Sequence, residues 1–175
     1  MFDELNKQAA RVNERIGRKC IIMTGARTDI NKIVSCGKVF VGVSRAALEA
    51  MAAQKPVILA GNEGYIGLFD ETKMAKAMEN NFCCRGCEKT SEAALLRDIT
   101  YAFNSINDDQ RKALGEYGRS VIFKNYSVSK MADDCVDAYT AALKVNEKKK
   151  YRVLMSGYYG FNNSGDDAIL LSIHS

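Results

Sequence analysis

The sequence predicts an α/β domain built on a doubly wound parallel sheet. Three observations carry that expectation. Apolar runs at Cys20–Thr24, Val39–Val43 and Val57–Ala60 are short and nearly continuous, as strands buried on both faces require. Segments with helical periodicity separate them, so helix and strand alternate as far as Ala60. Gly25 and Gly61 close two of the runs, where a strand must turn.

The elements follow in order. Phe2, Leu5, Ala9, Val12 and Ile16 recur at steps of three and four, which predicts an amphipathic helix ending near Gly17. Cys20–Thr24 is then a buried strand, and Asp29–Ser35 a short helix. Val39–Val43 is the next strand. Ser44–Gln54 is rich in Ala, Leu, Glu and Met and favours helix until Pro56 stops it. Val57–Ala60 is the third strand. The Gly-rich stretch Asn62–Thr72 reads as a loop that buries Tyr65, Ile66, Leu68 and Phe69. A helix over Thr72–Glu79 and a short strand at Phe82–Arg85 come next. Leu95, Ile99, Phe103 and Ile106 mark another helix, and Leu114, Tyr117 and Val121 a further one. Met131, Cys135, Ala138 and Ala142 mark the last, with Ser127 placed as its N-cap. Residues 146–150, Asn-Glu-Lys-Lys-Lys, read as a solvated linker, with contact to anionic lipid as the alternative. A strand at Tyr151–Ser156, a Gly-punctuated loop and a helix from Asp166 follow. The domain division is therefore 1–145, a linker at 146–150, and a short strand-loop-helix tail at 151–175. The chain opens on a helix where such a domain opens on a strand, so a preceding strand is expected.

Composition narrows the function. The 175 residues are 47% hydrophobic and 26% charged, which suits a globular protein with a core of its own. No apolar run is long enough to cross a bilayer, and the acidic Met1-Phe2-Asp3-Glu4 opening lacks a secretory h-region. A cytoplasmic setting is expected. The net charge of +4 is spread along the chain and gives no argument for nucleic acid. The six cysteines are expected as free thiols. Cys20 and Cys36 read as small core residues. Cys83, Cys84 and Cys87 cluster, but tetrahedral zinc takes four ligands and the chain has one His, His174, so no metal site is expected. A thioredoxin-like redox pair is not expected either, because no such strand and helix frame it.

Three places have chemistry-bearing patterns. Gly42, Ser44, Arg45 and Ala46 lie where a strand enters a helix, and the free amides and positive dipole end of such a turn bind phosphate. Arg45 adds a charge suited to a diphosphate, and Glu49, one turn in, suits the paired hydroxyls of a ribose. The alternative is that Glu49 complements the helix dipole and Arg45 is a solvated surface residue. The second place is Gly61-Asn62-Glu63-Gly64-Tyr65-Ile66-Gly67, at the carboxyl end of the third strand, where ligands of open α/β sheets bind. Its alternative is a tight, packed surface loop. The third is the loop carrying Gly157, Gly160, Asn162, Gly165 and Asp166, which has neither dinucleotide-fingerprint nor Walker A spacing.

Resemblance goes further than pattern. Val39 to Ala52 (Val-Phe-Val-Gly-Val-Ser-Arg-Ala-Ala-Leu-Glu-Ala-Met-Ala), followed by Lys55-Pro56-Val57-Ile58 and Gly61 to Gly67, resembles the donor-binding C-terminal half of a two-domain GT-B glycosyltransferase. Leu114 to Arg119, Tyr126-Ser127 and a closing helix ending near Tyr139 match the tail of that half. The resemblance covers residues 1–145 and implies a Rossmann-like sheet whose first strand is missing. It implies a nucleotide-diphosphate sugar as donor, with the diphosphate at Ser44–Ala46 and the ribose on Glu49. The family often has a second Glu eight positions earlier, where Val41 stands here. That departure bears on the donor-sugar contact. The acceptor, a glycan or lipid-linked sugar, and the catalytic base belong to the other half, so no catalytic residue is assigned.

Val153 to Leu170 resembles the opening of a polysaccharide pyruvyl transferase, which moves a pyruvyl group from phosphoenolpyruvate onto a cell-wall sugar. The motif usually ends Gly-Asp-Glu, and Asp167 replaces the Glu. Together the two resemblances imply an internal piece of an enzyme of cell-surface polysaccharide biosynthesis, acting in the cytoplasm or at the inner face of the membrane. No tightly bound cofactor is implied. The alternatives are a GT-B-fold nucleotide-sugar 2-epimerase, a pyruvyl transferase with a relic glycosyltransferase part, and a module that only binds or scaffolds.

Overall fold

A computed structural model describes residues 2–144. The described residues fall into two units that divide after residue 131. The linker at 146–150 and the strand, loop and helix expected over 151–175 lie outside the described residues.

The protein is α/β, as its alternating pattern requires. Helix α1 (Phe2–Ile16) carries Asp3 and Glu4 in its first turn and Arg15 in its last, matching the helix dipole at both ends. Gly17 ends it with a left-handed φ of 72°. The expected strand at Cys20–Thr24 does not form. No described strand lies alongside it, and the Asn13 side chain takes its backbone instead. Asn13 Oδ1 accepts from the amides of Cys20 and Ile21 at 2.8 Å each, and Asn13 Nδ2 donates to the Ile21 carbonyl at 2.8 Å. Cys20 and Cys36 are exposed rather than in the core, which corrects their reading as core residues. Helix α2 (Ile30–Cys36) follows within a residue of its expected position.

Strand β1 (Phe40–Gly42), helix α3 (Ser44–Ala52) and strand β2 (Val57–Gly61) form the expected parallel unit, with Phe40 opposite Val57 and Gly42 opposite Leu59. The next segment differs from expectation. Gly64–Leu68 is strand β3, antiparallel to β2, so Asn62–Glu63 is the tip of a hairpin rather than part of a long loop. The sheet has order β1-β2-β3 and is mixed, which corrects the all-parallel expectation. The register shifts between Leu59 and Ala60, leaving Ile66 as an extra residue and Gly67 at φ 90°.

Both faces of the sheet are covered. Val57 and Leu59 pack with Met51 of α3, Phe69, Phe82 and Val121. Ile58 and Ala60 pack on the other side with Tyr65, Leu68 and Ala102, against Leu95, Ile99 and Leu114. Alternate residues of β2 thus serve opposite cores, as the strand's period of two dictates.

A short 3₁₀ turn (Glu71–Lys73), with Asp70 accepting from the Thr72 amide at 2.9 Å, leads into helix α4 (Met74–Glu79). Phe82–Arg85, expected as a strand, is a turn in which Asn81, Phe82 and Cys84 have left-handed backbones. The Phe82 amide donates to the Ala77 carbonyl, and Asn80 Oδ1 accepts from the Cys84 amide at 2.9 Å, so the chain curls instead of extending. Helix α5 (Glu92–Thr100) is capped by Ser91 and runs into a π turn at Tyr101–Ser105. Phe103 is therefore exposed while Ile106 is buried.

Helix α6 (Asp108–Tyr126) starts with a reciprocal capping box between Asn107 and Gln110. Gly115 lets α6 approach the end of α3, because a Cβ there would overlap the Gln54 carbonyl oxygen. Helix α7 (Val128–Lys144) begins with Ser127 Oγ accepting from the Lys130 amide at 3.2 Å, the expected N-cap.

Candidate functional site

The carboxyl ends of β1 and β2 bring the first two predicted groups together. A Cβ on Gly61 would stand 2.8 Å from a methyl of Val43, the residue that precedes α3. A Cβ on Gly42 would meet the Phe40 ring at 2.7 Å, so the ring would have to shift. Val43 is extended, and Ser44 turns the chain into α3 with a φ of 56°.

That sharp turn fixes which amides are open. The Ser44 amide donates to the Phe82 carbonyl at 2.8 Å, so the cysteine-bearing turn caps the start of the helix. No side chain among the described residues caps α3. Among the described residues the amides of Arg45 and Ala46 have no acceptor, and both residues are exposed. The Arg45 guanidinium and the Glu49 carboxylate make no ion pair or hydrogen bond among the described residues. Glu49 lines a groove of about 370 Å³ with Ile30, Asn31 and Val34 of α2 and with Ala52 and Ala53. Among the described residues the result is a helix end with two open amides and an exposed cation, one turn from an unpaired carboxylate over an apolar floor. Such an end suits an anion, and the carboxylate suits hydroxyls.

Ser44 is also a strained serine at a strand-to-helix turn, where hydrolases carry a nucleophile. No histidine stands beside it among the described residues, and the sequence's one histidine, His174, lies outside them.

The hairpin glycines serve close approach. A Cβ on Gly64 would overlap the Cys84 carbonyl oxygen. Tyr65 is buried, its amide on the Glu88 carbonyl at 2.7 Å and its hydroxyl donating to Ala94 at 2.9 Å. Glu63 at the hairpin tip pairs with Arg85, whose guanidinium holds its carboxyl below the ordinary range. A second cleft, of about 420 Å³, opens beside Gly61, Asn62, Lys89 and Thr90, with Val41 and Leu95 on its wall. Val41 is 43% exposed, so the position that carries a second Glu in the resembled family faces open space here.

Sequence reading missed the residues that brace these loops. Thr90 Oγ1 bonds the carbonyls of Gly61 at 2.7 Å and Gly64 at 2.9 Å. Asp98, buried on α5, accepts from the Leu68 amide at 2.9 Å and pairs with Arg97. Burial alone would raise its pKa, but the Tyr65 hydroxyl, Arg97 and the Leu68 amide together hold the carboxyl below its ordinary range. A lone Asp in a helix and a lone Thr in a loop give no periodic signal that would have revealed either. The tail residues Gly157, Gly160, Asn162, Gly165 and Asp166 lie outside the described residues.

Searches of known protein families, curated proteins and solved structures find no match to this chain.

Proposed function

We propose that the chain is the nucleotide-sugar-binding half of a glycosyltransferase that works in cell-surface polysaccharide biosynthesis. The observation that carries this reading is the end of α3, where among the described residues two amides are open and Arg45 is unpaired, with an unpaired Glu49 one turn away. The β1–α3–β2 crossover and the two covered faces support reading the sheet as the core of a doubly wound, Rossmann-like half-domain.

The donor's diphosphate lies against the Arg45 and Ala46 amides and the Arg45 guanidinium. The ribose hydroxyls donate to Glu49, and the nucleoside lies over Ile30 and Val34. Transfer is displacement at the anomeric carbon, and this half stabilises the charge that develops on the departing nucleoside diphosphate. Its rate contribution is orientation and electrostatics, with the base and acceptor supplied by the other half. The cytoplasm, or the inner face of the membrane, is where such donors meet a lipid-linked acceptor. The residues 151–175 begin a pyruvyl transferase that takes phosphoenolpyruvate.

A second reading rests on Val41. With no carboxylate in the cleft beside Gly61, the glycosyltransferase part serves as a binding or scaffolding module for the pyruvyl transferase.

Calorimetric titration with UDP, GDP and UDP-sugars separates the two. The donor-half reading predicts saturable binding that Glu49→Ala weakens by about 1.5–3 kcal/mol, the contribution of a hydrogen bond to a charged group. A folded chain that binds none of them overturns it and leaves the scaffolding reading.

A further inference from the structure

The turn that caps α3 carries three of the six cysteines, and it is the most strained stretch of the described chain. Asn81, Phe82, Cys84 and Gly86 all have left-handed backbones within six residues. The Cys87 amide donates to the Cys84 carbonyl at 3.1 Å, closing a β-turn on these two cysteines. Such a turn holds its first and last Cα atoms within about 7 Å, which is disulfide reach. The Cys83 thiol points elsewhere, to the Asn81 carbonyl at 3.6 Å.

We propose that Cys84 and Cys87 form a reversible disulfide that controls the donor site through the Phe82 carbonyl and the Ser44 amide. The Ser44 amide donates to the Phe82 carbonyl in the structure, and its meaning as regulation rests on the donor-half reading.

The two thiols have different parts. Cys87 is half-buried and opens onto a cleft of about 550 Å³ lined by Lys76, Glu79, Asn80, Asn81, Arg85 and Gly86. That is room for a small peptide disulfide such as oxidised glutathione. Asn80 Nδ2 donates to Cys87 Sγ at 3.7 Å. Cys84 is fully buried, and that burial, with Cys87 and Cys83 nearby, pushes its thiol up to about 11. Cys87 therefore attacks first. Its proton goes to solvent, its thiolate bonds to one sulfur of oxidised glutathione, and the glutathione S–S bond breaks to release one glutathione thiolate. Cys84 then attacks Cys87 Sγ and displaces the second glutathione thiolate, which takes up the Cys84 proton as it leaves. Two protein thiols are oxidised and one glutathione disulfide is reduced to two thiols.

Closure draws Cys84 toward Cys87 and changes the backbone that positions Phe82, two residues before Cys84. The left-handed Ser44 is held by the Phe82 carbonyl, and strained residues persist only where their surroundings fix them. Loosening that bond misaligns the Arg45 and Ala46 amides, so the oxidised form binds donor less well.

The test treats the full chain with oxidised glutathione, maps crosslinks by mass spectrometry after alkylation, and follows Ser44 amide exchange by NMR. A Cys84–Cys87 crosslink, reversed by dithiothreitol, is expected, with Ser44 exchange at least tenfold faster and UDP affinity at least tenfold lower. Cys87→Ser, and independently Cys84→Ala, abolish both the crosslink and the response of Ser44 to oxidant. A chain left with glutathione adducts only, a crosslink through Cys83, or a Cys84–Cys87 crosslink with unchanged Ser44 exchange overturns the proposal. Failure of the reduced chain to bind UDP overturns the donor-half reading instead, because Ser44 exchange reads the clasp without any nucleotide.

Discussion

Glycine marks where backbone meets backbone around the site, and the structure separates two reasons for it. Gly64 has no room, since a Cβ would overlap the Cys84 carbonyl oxygen. Gly86 has open space but a φ of 74°, so only its conformation is at stake. Gly64→Ala is therefore expected to cost about 1–3 kcal/mol, as overpacking does. Gly86→Ala costs about 1 kcal/mol, the left-handed penalty alone. Chemical denaturation of the two variants measures the difference, and equal losses would refute the steric account of Gly64. Asp98 gives a pH signature. Its folded pKa lies below the ordinary 3.8, so its ionised form contributes stability above that value. The contribution disappears as pH falls through the folded pKa. Asp98→Asn should be less stable at neutral pH and should lack this part of the acid transition. A parallel acid profile in the variant would contradict the role given to Asp98. At this scale the sequence spoke unevenly: the strand-to-helix turn at Ser44 was legible, whereas Asp98 and Thr90 act through long-range bonds that leave no pattern.

Elements were legible where periodicity and caps agree. α1, α3, α6, β1 and β2 follow from apolar spacing, Pro56 and the glycines that end strands. β3 was hidden because Gly64 and Gly67 made a strand look like a loop, when one glycine admits the Cys84 carbonyl and the other serves a bulge. Cys20–Thr24 failed in the opposite way. An apolar run is only a strand if a neighbour offers hydrogen bonds, and here Asn13 takes them. Asn13→Ala should release that segment, seen as faster amide exchange at Cys20 and Ile21 with little change in the sheet. The capping box of α6 carries a separate expectation. Asn107→Ala removes the acceptor of the Gln110 amide at 2.8 Å and should cost about 1 kcal/mol in a thermal or denaturant melt. A loss below about 0.3 kcal/mol would mean that the cap is redundant with α6 packing.

At the scale of the molecule, a small mixed sheet with helices on both faces gathers its loops at one edge. There the end of α3, the hairpin tip and the cysteine turn brace one another through Ser44–Phe82, Gly64–Cys84 and Glu63–Arg85. α/β class and the β1–α3–β2 unit were readable in the sequence. The mixed sheet was not, because strand direction depends on a two-residue turn that pattern reading took for part of a loop. The same edge holds both the open amides and the strained thiols, so one region carries the proposed binding and its proposed control. The most direct measurement is an amide NMR titration of the reduced chain of residues 1–175 with UDP. The account predicts its largest shifts at Arg45, Ala46 and Glu49, with Ile30 and Val34 following as the groove fills. Shifts confined to the cleft around Lys76 and Cys87, or none in a folded chain, would contradict a donor site at the end of α3.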